Sequence, residues 1–180
     1  MYYKLTDQEM KTYNGFQWKL GRWYRIEKWQ RGGDLCSASW FHCYDDPALA
    51  IIFNPLHANI YKPRLFRCYV RGKKLTDGVK YGFTYMKLAM EIEVPWITPV
   101  QKVAFAIFCA REVVTEPAWL QWAERWLNGQ DRSEGTVWSI YDRVRTPETV
   151  RLCSQSAQDA AIKFDRGQVL SMDYYVARAA

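Results

Sequence analysis

Alternation of apolar and polar positions organises the first half of the chain, and a three-to-four-residue period organises the second. Residues 2–6 read as a short strand, and Asn14-Gly15 as a turn. From Arg22 to Trp29 the positions alternate, with Trp23, Arg25, Glu27 and Trp29 on one side of a predicted strand. Arg31-Gly32-Gly33-Asp34 turns the chain, and the aromatic stretch Leu35 to Tyr44 predicts another strand. Asp46-Pro47 starts a short helix, because Asp caps and Pro at the first helical position forfeits no needed N–H. Asn54-Pro55 stops it, and 55–63 reads as a loop. Leu65 to Arg71 is the clearest strand. Phe66, Cys68 and Val70 form its apolar side, and Leu65, Arg67, Tyr69 and Arg71 the other. Asp77-Gly78 turns the chain again, and Tyr81 to Val94 predicts one or two further strands.

The pattern changes at Pro95. Thr98-Pro99-Val100-Gln101 has the form of a capping box, and a helix follows to Val114. Glu116-Pro117 starts a second, with Trp119, Leu120, Trp122, Ala123, Trp126 and Leu127 at helical spacing and Asn128-Gly129 as its end. A third spans Glu134 to Arg143. A fourth starts at Thr146-Pro147-Glu148 and ends near Asp165-Arg166-Gly167, with Met172 to Ala179 as a last turn or frayed tail. The expected fold is α+β: a twisted, mostly antiparallel N-terminal sheet with one short helix, followed by a bundle of about four helices packed on it. The expected division is 1–95 and 96–180.

Composition bounds the class. Hydrophobic residues make up 49% of the 180 and aromatics 16%, enough for a packed core and for an aromatic interface. Met1-Tyr2-Tyr3-Lys4-Leu5 has no long apolar run of the signal-peptide kind, and no stretch reaches membrane-span length. The five cysteines are odd in number and include no C-x-x-C, so free, buried thiols in a reducing cytoplasm are expected. Cys36, His42, Cys43 and Cys68 match no standard zinc spacing.

Charge is the most informative bulk property. Residues 1–95 hold 15 Lys/Arg against 9 Asp/Glu, and 96–180 hold 10 against 10. Between Asp46 and Asp77 there is no acid, while Lys62, Arg64, Arg67, Arg71, Lys73 and Lys74 all fall there. Such asymmetry points to an acidic partner.

Chains of known catalytic type usually carry a signature, and the common ones are missing: no G-x-G-x-x-G, Walker loop, H-E-x-x-H or G-x-S-x-G occurs. On a regular strand His42 and Tyr44 share a face with Trp40, next to the helix capped by Asp46. Glu91 and Glu93 share one strand face and have the spacing to orient a ribose hydroxyl or stabilise a cation. The richest candidate is an aromatic–basic surface of Trp23, Arg25, Arg64, Arg67, Tyr69, Arg71, Lys73 and Lys74. Stacking planes with cations between them suit single-stranded nucleic acid, and Trp, Tyr and Arg equally suit a protein interface.

Leu35-Cys36, Trp40 to Tyr44, Asp46 to Ala50 and Arg64 to Gly72 resemble a domain of unknown function in small bacteriophage and prophage proteins, as do Tyr3 to Thr6 and Gly15 to Trp18 with Gly21. The resemblance covers about the first 95 residues. The strand–helix–strand order is also similar to ADP-ribosyltransferase-like folds, in which a D-P-x-x-A helix precedes an R-x-F-x-x-x-V strand. That second resemblance implies NAD as cofactor and a cleft of Lys4, His42, Tyr44 and a glutamate, Glu91 or Glu93, with Lys4 where such folds carry His or Arg.

Two functions are therefore expected to compete. The first is a non-enzymatic, phage-type accessory protein without a cofactor, in the host cytoplasm and off the membrane. It binds an acidic host partner: nucleic acid, or a nucleoprotein defence complex such as a CRISPR effector. The alternative is an ADP-ribosyltransferase-like enzyme that uses NAD to modify a host protein.

Overall fold

A hairpin builds the N-terminal part. Asp77 accepts hydrogen bonds from the N–H groups of Val79 (3.0 Å) and Lys80 (2.7 Å), and Gly78 takes the left-handed backbone (φ +94°) that such a turn needs. Strands β6 (Arg64–Thr76) and β7 (Tyr81–Ile92) leave this turn antiparallel. In the computed structural model, which describes residues 1–27, 32–141, 143–144 and 147–180, all strand pairs are antiparallel.

β1 (Tyr2–Thr6) lies along β6, and β4 (Trp23–Arg25) and β5 (Phe41–Cys43) lie along successive parts of β7. Tyr3 and Tyr44 exchange both backbone hydrogen bonds (2.7 and 2.9 Å), which joins β1 to the end of β5. The ring β1–β6–β7–β5 is thereby closed into a small barrel, with β4 as an added strand. Closure gives the outer edge of β1 a partner at the end of β5. A small hairpin, β2 (Lys11–Thr12) and β3 (Phe16–Gln17), turns at Asn14-Gly15 as expected. Its continuation sends Trp18 into the core with Ile26, Phe41, Cys43, Phe66, Cys68, Phe83, Met86 and Leu88.

Gly72 (φ +87°) sits in a β-bulge. Arg71 pairs with Tyr85, yet Lys74 pairs with Phe83, so β6 holds one extra residue. A Cβ on Gly72 would stand 2.3 Å from Thr84 Oγ1 and 2.8 Å from the Tyr85 ring, so only glycine fits.

Several expected elements differ. The strand expected over Leu35 to Tyr44 is only Phe41–Cys43; small residues Ser37, Ala38 and Ser39 turn instead, and Ser37 Oγ accepts from Ser39 N–H. The strand from Arg22 is Trp23–Arg25, and its expected end at Lys28 and Trp29, like the start of the turn at Arg31, lies outside the described residues. The expected single short helix is two: α1 (Pro47–Ile52), capped by Asp46, and the turn α2 (Asn54–His57). Asn54-Pro55 stops the first and starts the second, because Pro is as acceptable at a helix start as it is unacceptable inside one. The Asn54 amide then exchanges hydrogen bonds with the Ile60 backbone, shaping the loop that follows.

The chain divides into Met1–Trp96 and Ile97–Ala180. The second unit holds α3 (Pro99–Arg111), α4 (Pro117–Leu127), α5 (Glu134–Ile140), α6 (Glu148–Asp165) and α7 (Val169–Ala179). The capping box of Thr98 and Gln101 is formed. Thr146, expected at the start of α6, lies outside the described residues. The tail expected after Gly167 is a full helix, because Met172, Val176, Ala177 and Ala179 are buried in the unit's core. α6 packs on α3 and α7, and its Ala157, Ala160 and Ala161 are fully buried. Lys102 of α3 and Asp173 of α7 form a paired contact at 2.8 Å.

Candidate nucleic-acid interface

The outward side of β6–β7–β4 is set by register. Tyr69 lies opposite Lys87, and Lys87 opposite Trp23. One row on, Arg71 lies opposite Tyr85, and Tyr85 opposite Arg25. Aromatic and cationic groups thus alternate across three strands. The Lys87 ammonium is 5.0 Å from the Tyr69 ring centre and 5.3 Å from that of Trp23. The Arg71 guanidinium is 4.3 Å from Trp23 and 5.1 Å from Tyr85. Each distance falls within cation–π range. Tyr69 is 59% exposed and Trp23 36%, so the rings remain open to a partner.

At the Tyr69 end the surface dips into a depression of about 260 Å³ lined by Met1, Gly21, Arg67, Cys68, Tyr69, Lys87, Ala89 and Met90. The bulge at Arg67–Cys68 against Leu88–Met90 shapes this end. No carboxylate is among the residues lining it. Arg25, at the far side, has Glu27 at 3.4 Å across an exposed contact.

The expected face is thus brought together in part: Trp23, Arg25, Arg67, Tyr69 and Arg71 share it. Arg64, Lys73 and Lys74 do not belong to the ladder. Arg64 is held by Glu91 in a two-pronged ion pair (2.8 and 2.6 Å) and donates to Gln8 O, so its guanidinium is already committed. This pairing raises the Arg64 pKa and lowers that of Glu91, the side-chain hydrogen bond being the leading cause of each. Lys73 and Lys74 lie beyond the Gly72 bulge, where alternation is reset. Lys74 stands opposite the core residue Phe83, and its ammonium rests 4.7 Å from the Tyr81 ring.

Tyr85 and Lys87 complete the ladder and were not singled out from the sequence. Their i, i+2 spacing within Tyr81 to Val94 was a weak signal. Their value comes from lying between Arg71 or Tyr69 on one side and β4 on the other.

The alternative catalytic residues occupy separate environments. Lys4 points into the barrel, where its ammonium donates to His42 O (2.8 Å) and lies 5.2 Å from the Trp18 ring. Burial there lowers its pKa from the ordinary lysine value. His42 turns away from the core side of β5 and bonds Leu35 O through Nε2. Burial pushes its pKa down to about 4, with Lys4 and Lys80 adding to the effect against the Leu35 hydrogen bond. The buried Tyr44 hydroxyl shares a 2.5 Å hydrogen bond with His57 Nδ1, and burial raises its pKa. Glu91 is held by Arg64, and Glu93 is exposed past the end of β7.

Cys43 and Cys68 are core residues, Cys36 lies outside the core, and no metal-binding group of His, Cys, Asp and Glu forms among the described residues. All five cysteines are free thiols, but only Cys43 and Cys68 are buried as expected; Cys36 is exposed, and Cys109 and Cys153 are half-buried. Among the described residues no helix is long and apolar enough to cross a membrane.

The fold and face define a small antiparallel barrel carrying a cationic–aromatic surface. The chain belongs to the family described as domain of unknown function DUF7666, whose model matches residues 1–98 and so takes in the whole barrel. No curated protein and no solved structure matches the chain.

Proposed function

We propose that this chain is a non-enzymatic binding protein whose acidic partner is nucleic acid, single-stranded and either free or displayed by a nucleoprotein complex. The observation that carries the reading is the unbroken order Tyr69–Lys87–Trp23–Arg71–Tyr85 across β6, β7 and β4. Bases stack on aromatic faces whatever their identity, and the cations between the rings take the phosphates. A bacteriophage or prophage origin, and a host defence complex such as a CRISPR effector as the carrier of the nucleic acid, belong to the same proposal and rest on the resemblance of residues 35–72.

The test is fluorescence anisotropy of labelled single-stranded DNA, single-stranded RNA and duplex DNA over a salt series. Arg25, Arg67, Arg71 and Lys87 are the cations of the face. If they meet about four phosphates, log K falls with log salt at a slope of roughly −3 on a single strand. Tighter binding of single strands than of duplex supports the reading. No binding to any of the three at low salt overturns it.

A further inference from the structure

Away from the ladder, the turn before β5 meets the hairpin that enters β7, and two reactive side chains face each other there. Lys80 is 5% exposed, and its Nζ lies 3.1 Å from Cys36 Sγ. Among the described residues this ammonium has no ion pair with a carboxylate. A buried lysine usually finds one, because an unpaired buried charge is costly. Cys36 is an exposed residue and is in no disulfide.

Both partners are held in place. The Lys80 backbone donates to Asp77 Oδ1 (2.7 Å) and accepts from Thr76 Oγ1 (2.9 Å). The Cys36 turn is tied by His42 to Leu35 O, by Trp40 Nε1 to Gly33 O (3.2 Å), and by the close seat of Leu35 and Trp40 on Gly82. Nitrogen and sulfur are therefore already at a separation suited to attack, with little motion left to lose.

We propose that Cys36 and Lys80 form an oxidation-driven sulfur–nitrogen cross-link, a sulfenamide, when the protein meets a hydroperoxide. The Cys36 thiolate attacks one peroxide oxygen: the S–O bond forms, the O–O bond breaks, and hydroxide leaves. That hydroxide takes a proton from the Lys80 ammonium. The freed amine attacks the sulfenic sulfur, the S–N bond forms, the S–O bond breaks, and the departing hydroxide takes a second amine proton. Thiolate, ammonium and hydrogen peroxide become one sulfenamide and two waters. Sulfur loses two electrons and peroxide gains them. A thiol reductant reverses the link by attacking the sulfur and releasing the amine. The link would pin the turn before β5 to the β6–β7 hairpin.

The experiment treats the full chain with hydrogen peroxide, digests it without reductant and maps the peptides by mass spectrometry. The expected product is the Cys36 peptide joined to the Lys80 peptide, lighter than their sum by two hydrogens and separated again by dithiothreitol. Cys36→Ser and Lys80→Arg should each abolish it. In Lys80→Arg a dimedone-type probe should label the Cys36 sulfenic acid more strongly than in the unsubstituted chain. The unsubstituted chain alone decides if a variant fails to fold. Cys36 carried to sulfinic or sulfonic acid, or to a disulfide, with the Lys80 peptide unmodified overturns the proposal.

Discussion

The guanidinium of Arg71 lies over the ring of Trp23, 4.3 Å from its centre, although the two residues sit on strands that never touch. β7 separates β6 from β4, and the contact is made diagonally over it, with Tyr85 and Lys87 filling the places between. Ring and cation are thus pre-ordered before any partner arrives. Little side-chain entropy remains to be lost on binding.

If that pair is a stacking platform, Trp23→Ala weakens single-strand binding by about 1–3 kcal/mol, roughly 5- to 150-fold, through loss of one stacked base. Arg71→Ala has a different signature: it lowers affinity on every sequence and makes the salt slope shallower by about 1. Lys74→Ala, outside the ladder, leaves the affinity close to unchanged. Anisotropy titrations at several salt concentrations separate the three.

Gly72→Ala strains both backbone and packing. The left-handed φ and a Cβ at 2.3 Å from Thr84 Oγ1 together cost about 2–4 kcal/mol. Urea denaturation measures this. Gly78 has a similar φ of +94° and no atom within 4 Å of its added Cβ, so Gly78→Ala costs less, about 1 kcal/mol.

Acid should destabilise the barrel through His42. Its folded pKa near 4 lies below the ordinary 6.5, so the unfolded chain binds the extra proton first. The stabilisation is complete above pH 6.5 and is lost as pH falls from 6.5 towards 4, by at most about 3 kcal/mol. His57 is shifted in the same direction by burial and adds to the slope. Unfolding free energies between pH 7 and pH 4 should show the decline, and His42→Gln should flatten it.

Lys4→Met is expected to be neutral or mildly stabilising, within about 1 kcal/mol, because it removes a buried charge and keeps the side chain's length. The sign for pH follows from the lowered folded pKa: the Lys4 contribution is largest above the ordinary lysine value and declines as pH falls. Thermal unfolding with nucleic-acid titration of the same variant checks both points. Nucleic-acid affinity should not change, since Lys4 faces the barrel interior.

In the helical unit, Asp173→Asn removes the negative charge from a partly buried ion pair and leaves Lys102 without its counter-ion. A loss of about 1–2 kcal/mol is expected, visible as a lower midpoint in urea.

Much of the fold was legible because local chemistry dictates it. Asp46, Thr98 and Asn128-Gly129 mark helix ends through their own hydrogen bonds and backbone preferences, and they do so here. The alternation of Phe66, Cys68 and Val70 against Arg67, Tyr69 and Arg71 names two faces of one strand, since side chains on a strand alternate by geometry alone. So the sequence by itself determined the α+β class, the change of character near Pro95, and a basic aromatic face on β6. Alternation fails where the backbone departs from it, at the Gly72 bulge, and there Lys73 and Lys74 leave the predicted face. Only the tertiary structure decided which strands flank β6 and in what register. That choice recruited Tyr85 and Lys87, withdrew Arg64 to Glu91, and sent Lys4 and the His42 ring to opposite sides of the barrel wall. The physical reason is that pairing across strands rests on core packing and ring closure between residues far apart in the chain, such as Tyr3 with Tyr44, for which no local pattern carries the information.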